Sequence, residues 1–338
     1  MIDLRPWLDA VPTNVVEKIA GARSVLAVGH ENPDADTIGS TLAICRLVER
    51  RGGRAVAVFS DPPPPLYDFL PAIERARTDP EDGAAYDLLV VSDCGSLDRI
   101  GSVRARHPEL FERLPKVILD HHASNDGAGP DDWIDPEAAA TCEMTALLAL
   151  KLGVSLEAEP DLATLLMAGI VMDTSTFAHP NATPRTLSVS AALVEAGAPL
   201  SEISRRLYRS KPEPQLRLFG RVLDRLESSA GGRVVHSSLF DRDLEASGAI
   251  SAHSEGIIDI LAQAERADVA ILFKEAGEGT RISVRTKPGG VDATVLTGAF
   301  GGGGHARAAG ATIQRPLAEA KADVLAEAER LVSALAPV

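Results

Sequence analysis

Three apolar runs end in side chains that bind metals. SVLAVGH delivers His30, with Asp34 and Asp36 close behind it; DLLVVSD delivers Asp93; VILDHH delivers Asp120, His121 and His122. A further carboxylate, Asp173, closes the apolar stretch LLMAGIVMD. Imidazole and carboxylate hold divalent Mn, Fe or Zn, and several carboxylates in one place repel one another unless a cation neutralises them. His30, Asp34, Asp36, Asp93, His121 and Asp173 outnumber the three or four protein ligands that one catalytic ion takes. Two ions sharing a bridging carboxylate would use them all. Paired ions roughly 3.5–4 Å apart serve phosphatases and nucleases, where one activates water and both stabilise charge on phosphorus. The chemistry implied is phosphoester hydrolysis.

These side chains need elements to gather them. Strand-like runs over about 24–29, 55–59, 88–92 and 116–119 alternate with helix-like stretches, the pattern of a mostly parallel sheet covered by helices. Ligands of such sheets bind outside the carboxyl ends of the strands, where His30, Asp93 and the DHH triplet would lie. After Asp36, TIGSTLAICRLVERRGG has helical apolar spacing and ends in glycines that stop it. Further helices are predicted over 143–152, 162–171 and 184–196. Pro33 predicts an extended Asn32, which would shape the loop that presents His30 and Asp34. DPPPP at 61–65 reads as a polyproline turn at the surface.

From about Leu200 the alternation stops, and helical segments broken by Pro212 and Pro214 predict a connector over 198–228. It would join a first domain, 1–197, to a second, 229–338. The second reads as strand GRVVHSSLF, helix SEGIIDILAQAE, strands DVAILFKE and TRISVRTK, helix VDATVLTGAF, a glycine loop and a last helix over 317–335. The expected class is therefore α/β, a mostly parallel-sheet domain plus a smaller mixed-sheet α/β domain, with the active site in the cleft between them.

Composition narrows the function. The 338 residues suffice for two domains, and no apolar run approaches the roughly 18 residues of a membrane span. MIDLRPWLDA lacks the layout of a signal peptide, so a cytoplasmic location is expected. The three cysteines are odd in number and lack C-x-x-C spacing, which indicates neither a disulfide framework nor a thiolate zinc site. Cys94 adjoins Asp93, but a thiol among carboxylates has its pKa raised and makes a poor nucleophile. A net charge of −14 argues against a protein that tracks long nucleic acid. Against that trend, the segment from Arg281 to Gly310 carries Arg281, Arg285, Lys287 and Arg307 with Asp292 as its only acid, and substrate phosphates are expected there. Arg285 suits a forked phosphate contact. In GGGGHARAAG, glycines beside His305 would let backbone N–H groups approach a phosphate, although no Gly-Lys-Ser/Thr follows as a Walker loop requires.

GHENPDADTIGS, VVSDCGS, VILDHHASN and MDTSTF resemble, in order, the four motifs of the DHH phosphoesterases, and GGGGHARAAG resembles the signature of the DHH-associated domain. The pairing at this length most resembles the nanoRNase and pAp-phosphatase branch. That resemblance implies one ion held by His30, Asp34 and Asp93 and another by Asp36, Asp93, His121 and Asp173, with Asp93 as the bridge and Mn2+ as the metal. It implies that His122 faces substrate as a catalytic group, and that Arg285, Gly303, Gly304 and His305 bind nucleotide. Asp120 is expected to orient a metal-bound imidazole. The implied substrates are short oligoribonucleotides, linear or cyclic dinucleotides such as cyclic di-AMP, and 3'-phosphoadenosine-5'-phosphate (pAp); the implied assembly is a homodimer. Two alternatives stand beside this reading, a manganese-dependent inorganic pyrophosphatase and a nucleotide sensor without turnover.

Overall fold

A computed structural model describes residues 2–335 and divides the chain into two compact units, Met1–Ser210 and Lys211–Val338. The outermost ends of the expected domains, residues 1 and 336–338, lie outside the described residues. The segment expected as a connector is shared out rather than independent. Its first helix buries Ile203 and Leu207 in the core of the first unit, and its second buries Leu218, Phe219 and Val222 in that of the second.

In the first unit, β1 (Ser24–Val28), β2 (Arg54–Val58), β3 (Leu88–Ser92), β4 (Lys116–Asp120) and β5 (Trp133–Ile134) pair in the order β2-β1-β3-β4-β5, every neighbour parallel. The period of two sends alternate residues to opposite faces. Val25, Ala27, Val90 and Leu119 join one core cluster, while Leu26, Val28, Val91 and Ile118 join another. Burial on both faces is why these strands read as unbroken apolar runs. β2 lies on one side of β1 and β3 on the other, so the carboxyl ends of β1 and β3 flank a topological switch point, where such sheets bind ligands.

The covering helices are α1 (Thr13–Gly21), α2 (Ala35–Arg50), α3 (Ser102–Arg106), α4 (Pro108–Arg113), α5 (Thr141–Lys151), α6 (Pro160–Asp173), α7 (Pro184–Glu195) and α8 (Leu200–Tyr208). α2 starts where the Asp34 carboxylate accepts the N–H groups of Asp36 and Thr37, at 2.9 and 3.1 Å. It is buried on nearly every side because it packs on β1 and β2 and under α5 and α6. Glycines make that approach possible: a Cβ at Gly39 would lie 2.6 Å from the Leu165 carbonyl oxygen, and one at Gly169 would lie 2.4 Å from both Asp36 Oδ1 and Cys142 Sγ.

The second unit contains α9 (Glu213–Leu223), α10 (Asp241–Ser247), α11 (Ile257–Leu261), α12 (Ala293–Gly298) and α13 (Leu317–Ser333). Its strands, β6 (Glu227–Ser229), β7 (Val234–Leu239), β8 (Val269–Ala276), β9 (Gly279–Thr286), β10 (Gly303–His305) and β11 (Ala308–Ile313), form one mixed sheet in the order β10-β11-β9-β8-β7-β6. Only β7 and β8 run parallel. One sheet face packs Ile271, Phe273, Ile282 and Val284 with residues of α12 and α13; the other packs Val235, Leu239, Ala270 and Leu272 with residues of α9 and α11.

Two local expectations need correction. The glycine loop is a β-hairpin, with Gly303–His305 paired antiparallel to Ala308–Gly310. Asn32 is not extended: it sits at φ 51°, a left-handed conformation that asparagine tolerates better than most residues, and its N–H is held by Asp61 Oδ2 at 2.8 Å. Among the described residues, no helix is long and apolar enough to cross a membrane.

Gly169→Ala should destabilise the first unit by about 1–3 kcal/mol through overpacking. Gly220→Ala, in α9 where an added Cβ meets nothing within 4 Å, should instead stabilise by up to about 1 kcal/mol. Urea unfolding of the two variants checks the contrast; equal and opposite signs to these would contradict the packing described.

Candidate metal centre

Each sheet-end residue arrives on a loop constrained by its own chemistry. His30 follows β1, is 5% exposed, and has Nδ1 2.6 Å from the Glu31 carbonyl oxygen, which leaves Nε2 directed 3.7 Å from Asp93 Oδ2. Asp93 follows β3 with φ at 55°, a strained value for a non-glycine residue, and its N–H is tied to the Leu119 carbonyl of the next strand at 2.8 Å. Thr37 Oγ1 donates to Asp93 Oδ2 at 2.6 Å and Thr141 Oγ1 to Oδ1 at 3.3 Å. Asp36 is fully buried in the first turn of α2, and its two oxygens accept the N–H groups of Thr141 and Cys142, at 2.7 and 2.8 Å, at the start of α5. A carboxylate in that position is favoured by the exposed N–H groups and the dipole of the helix.

Asp173 is the last residue of α6, and its Oδ2 lies 3.1 Å from His121 Nε2. Behind it Ser175, Thr176 and Phe177 all take positive φ, a left-handed turn that costs energy at each residue. Phe177 is spent on packing against the core beside that turn. His121 Nε2 is also 3.6 Å from Asp93 Oδ1 and 4.0 Å from Asp36 Oδ2.

Three overlapping groups of possible ligand atoms result, each with all atoms within 4.8 Å of one another: His30, Asp34 and Asp93; Asp36, His121 and Asp173; and Asp93, His121 and His122. A cavity of about 260 Å³ opens among Asp34, Asp93, His121, His122, Asp173 and Asn181, and no lysine or arginine lines it. Oxygen and imidazole donors around a space with no lysine or arginine in its lining fit divalent metal ions.

The electrostatics carry the same mark. Burial, then the charges of Asp93 and Asp173, drive the Asp36 carboxyl well above its ordinary range. Burial also raises Asp93, with Asp34 adding to the effect, and pushes Asp173 up to about 6. Burial opposes a charged His121, yet the hydrogen bond it donates to Asp173 and the charges of Asp36, Asp173 and Asp93 outweigh it and raise the imidazole to about 10. A cluster shifted in this way favours the uptake of protons or cations. Burial likewise takes the Cys94 thiol to about 12, which removes it as a nucleophile.

One orientation differs from expectation. Asp120, fully buried, accepts His122 Nδ1 at 2.7 Å and Asn125 Nδ2 at 2.7 Å, whereas His121 Nδ1 faces the Ala138 carbonyl at 3.3 Å. The carboxylate therefore fixes the ring of His122, not that of His121. Burial works against the Asp120 charge, but the hydrogen bonds from His122 and Asn125 hold its pKa below the ordinary value. The hydrogen bond to Asp120 in turn raises His122. Gly95 leaves room for that ring, since a Cβ there would come within 3.2 Å of it.

Thr37, Thr141, Asn125 and Asn181 were not singled out from the sequence. Thr37 and Asn125 lie inside the motifs that hold the ligands and could have been found by asking what satisfies buried carboxylates. Asn181 Nδ2 donates to the carbonyls of Ala139 and Asp173 at 3.2 and 3.3 Å, a role no local pattern announces.

In the second unit Arg285 Nε contacts Asp259 Oδ1 at 2.9 Å, and His305 is exposed at the end of β10. Arg285 and His305 both stand opposite Ala308, on the strands that flank it. The glycine run divides by cause. A Cβ at Gly302 would lie 2.2 Å from the Gly310 oxygen, and one at Gly304 2.6 Å from that of Ala308, so the hairpin itself demands both. Gly303 meets nothing within 4 Å, which leaves its bare backbone open to a ligand.

Comparison with known proteins gives this geometry a family. Residues 24–170 match the DHH family, N-terminal domain, and residues 231–334 match the DHHA1 domain. A Thermus thermophilus protein, the bifunctional oligoribonuclease and PAP phosphatase NrnA, is 34% identical over 285 residues, covering 84% of this chain and 82% of its own. Its Bacillus subtilis namesake is 27% identical over 305 residues, 89% of this chain and 93% of its own. In fold, the chain is similar to an exopolyphosphatase-related protein from Bacteroides fragilis, with a TM-score of 0.83 at 21% identity over 95% of this chain and 98% of that one.

Stability should depend on pH in a direction that metal reverses. Asp173, at about 6 instead of 3.8, keeps a proton in the folded state that the unfolded state loses, so stability falls as pH rises between those values. His121, at about 10 instead of 6.5, contributes stability that is complete below 6.5 and is lost as pH rises through 10. Chelator-treated protein should therefore melt at progressively lower temperature from pH 6 to 10. Added Mn2+ should raise Tm more at pH 8 than at pH 5.5, because ligands must shed their protons to bind it. Differential scanning fluorimetry decides the matter, and an equal gain at both pH values would contradict it.

Proposed function

The chain belongs to the DHH family, with a DHHA1 domain following the DHH domain, and is a hydrolase of phosphoric ester bonds; from that premise we propose that it cleaves short oligoribonucleotides and pAp to nucleoside monophosphates. The observation that carries the reading is the sharing of Asp93 between two ligand groups, one with His30 and Asp34 and the other with His121 and His122, while His121 also joins Asp36 and Asp173 in a third. Relatives named for oligoribonuclease and PAP phosphatase activity, matched along most of their length, supply the substrate class. Linear dinucleotides and cyclic di-AMP present the same bridging phosphate and are included.

His30, Asp34 and Asp93 would hold one divalent cation, and Asp36, Asp93, His121 and Asp173 a second, with Mn2+ suited to so oxygen-rich a set. Such cations lower the pKa of water and neutralise charge developing on phosphorus. The chain's own residues set the stage for that chemistry. Thr37 and Thr141 hold the Asp93 carboxylate in place, and the start of α5 does the same for Asp36. His122, held by Asp120 through Nδ1 and raised in pKa by that bond, carries a proton that Nε2 donates to a phosphoryl or leaving oxygen. Arg285, Gly303, Gly304 and His305 of the second unit bind nucleotide phosphate. A cytoplasmic homodimer completes the reading.

Purified protein with Mn2+ should release AMP from pAp and monophosphates from pApA and a pentaribonucleotide, resolved by ion-exchange chromatography. Pyrophosphate, run alongside, should persist; its preferential hydrolysis would overturn the proposal. Asp93→Asn should abolish turnover on every substrate. Asp120→Asn should lower kcat by about 10²–10⁴ with little change in KM or bound metal, because it removes the charge that keeps His122 protonated. A loss of metal in that variant would assign Asp120 to the ion site instead.

A further inference from the structure

The basic stretch from Arg281 to Gly310 resolves into side chains with quite different duties. Lys287 Nζ donates to the carbonyls of Ala264 and Glu265 at 2.9 and 2.6 Å, and Arg307 donates to the Lys287 carbonyl. Both hold the chain to itself. The side chain of Arg281 is exposed and, among the described residues, makes neither a hydrogen bond nor an ion pair.

Lys274 stands directly opposite Arg281 across the β8–β9 ladder. Among the described residues its ammonium donates to neutral acceptors alone, Ser251 Oγ at 2.6 Å, Ser254 Oγ at 3.1 Å and the Ser251 carbonyl at 3.4 Å. Burial, then the neighbouring Arg281, push Lys274 below its ordinary pKa, with Asp241 pulling the other way. Like charges facing each other across a ladder destabilise a sheet. Among the described residues no carboxylate forms an ion pair with either of the two, in a chain with 48 acidic and 34 basic side chains.

The sheet places this pair on a meaningful face. Arg281 and Arg285 are four residues apart on β9, so both point the same way. Ala270, opposite Arg285, and Leu272, beside Lys274, pack under α9 and α11 on that face, while Ile282 and Val284 point to the opposite core. Over β9 and β11 this face presents Arg281, Arg285 and Thr312. Four residues of strand separate Arg281 from Arg285 by ~13 Å along β9.

We infer that Lys274 and Arg281, with the hydroxyls of Ser251 and Ser254, form a second phosphate subsite that takes a backbone phosphate of a single-stranded oligoribonucleotide beyond the one held by Arg285 and His305. The inference rests on the oligoribonuclease reading above. It adds that this unit measures substrate length: dinucleotides occupy the Arg285 end alone, and only longer strands reach the pair.

The test compares the Mn2+-loaded full-length protein with the double variant Lys274→Gln, Arg281→Gln on pApA and a pentaribonucleotide. The ratio of kcat/KM for the pentamer to that for pApA should fall by about tenfold. The pentamer's dependence of log kcat/KM on log salt should become shallower by about 1.4, two contacts at ~0.7 each. Arg281→Gln alone, at an exposed side chain without bonds, should fold normally and show part of both effects. An unchanged ratio in a folded, active variant, or an equal loss on both substrates, overturns the subsite while leaving the enzyme assignment intact. A wild-type protein that hydrolyses neither substrate overturns the assignment and the subsite together.

Discussion

Four carboxylates brought into one largely buried site repel one another, and most of the first unit's local structure answers that repulsion. Asp34 caps α2, Asp36 occupies the start of α5, Asp93 receives two threonine hydroxyls and Asp173 faces His121, so each charge meets hydrogen-bond donors before any cation arrives. Donors of this kind hold geometry but do not supply a full positive charge. Hence the upward shifts of Asp36, Asp93 and Asp173 persist, and with them the tendency of the site to take up protons or cations. The strained backbone at Asp93 and after Asp173 belongs to the same arrangement, since each bend aims a ligand inward where a relaxed chain would turn away.

The parts of this design visible in the sequence are those that repeat a simple physical rule. Buried parallel strands must be apolar on both faces, so β1, β3 and β4 announced themselves, and the polar residues just beyond them marked the sheet's carboxyl edge. What escaped notice depends on who meets whom in space. Nothing local distinguishes Asp120 as the partner of His122 from Asp120 as the partner of His121, because both rings leave the same strand end. Asn181 lies just beyond the MDTSTF motif, where the left-handed turn folds it back to the Asp173 carbonyl, and only packing in space brings it to that of Ala139. Asn32 shows a local rule overruled: the preference imposed by Pro33 lost to a loop that needs a left-handed residue, with the Asp61 carboxylate holding its N–H.

Glycine was the least legible residue type, because its absence of a side chain has several causes. The run before His305 suggested phosphate binding, yet Gly302 and Gly304 are fixed by backbone contacts inside the β10–β11 hairpin. Gly39 and Gly169, which no motif reading emphasised, control the approach of α2, α5 and α6 and so the position of Asp36. A glycine reveals ligand contact only where the fold leaves its missing Cβ unexplained, and in this run Gly303 meets that condition.

Charge is arranged on the same economy. Net acidity of −14 discourages tight binding of long polyanions, since affinity grows with the number of phosphates neutralised. A few cations can still grip a short strand, provided they are spaced for successive phosphates and not all locked into buried ion pairs. Most arginines here are diverted: Arg185 bridges Asp135 and Glu143, Arg225 pairs with Asp243, and Arg233 with Asp268. Against that background two cations facing each other across a ladder without a carboxylate partner are informative, because the sheet bears the cost of that pair without local return. The return must then come from outside the chain, and an anion of low charge number is what a protein of this balance can retain and release.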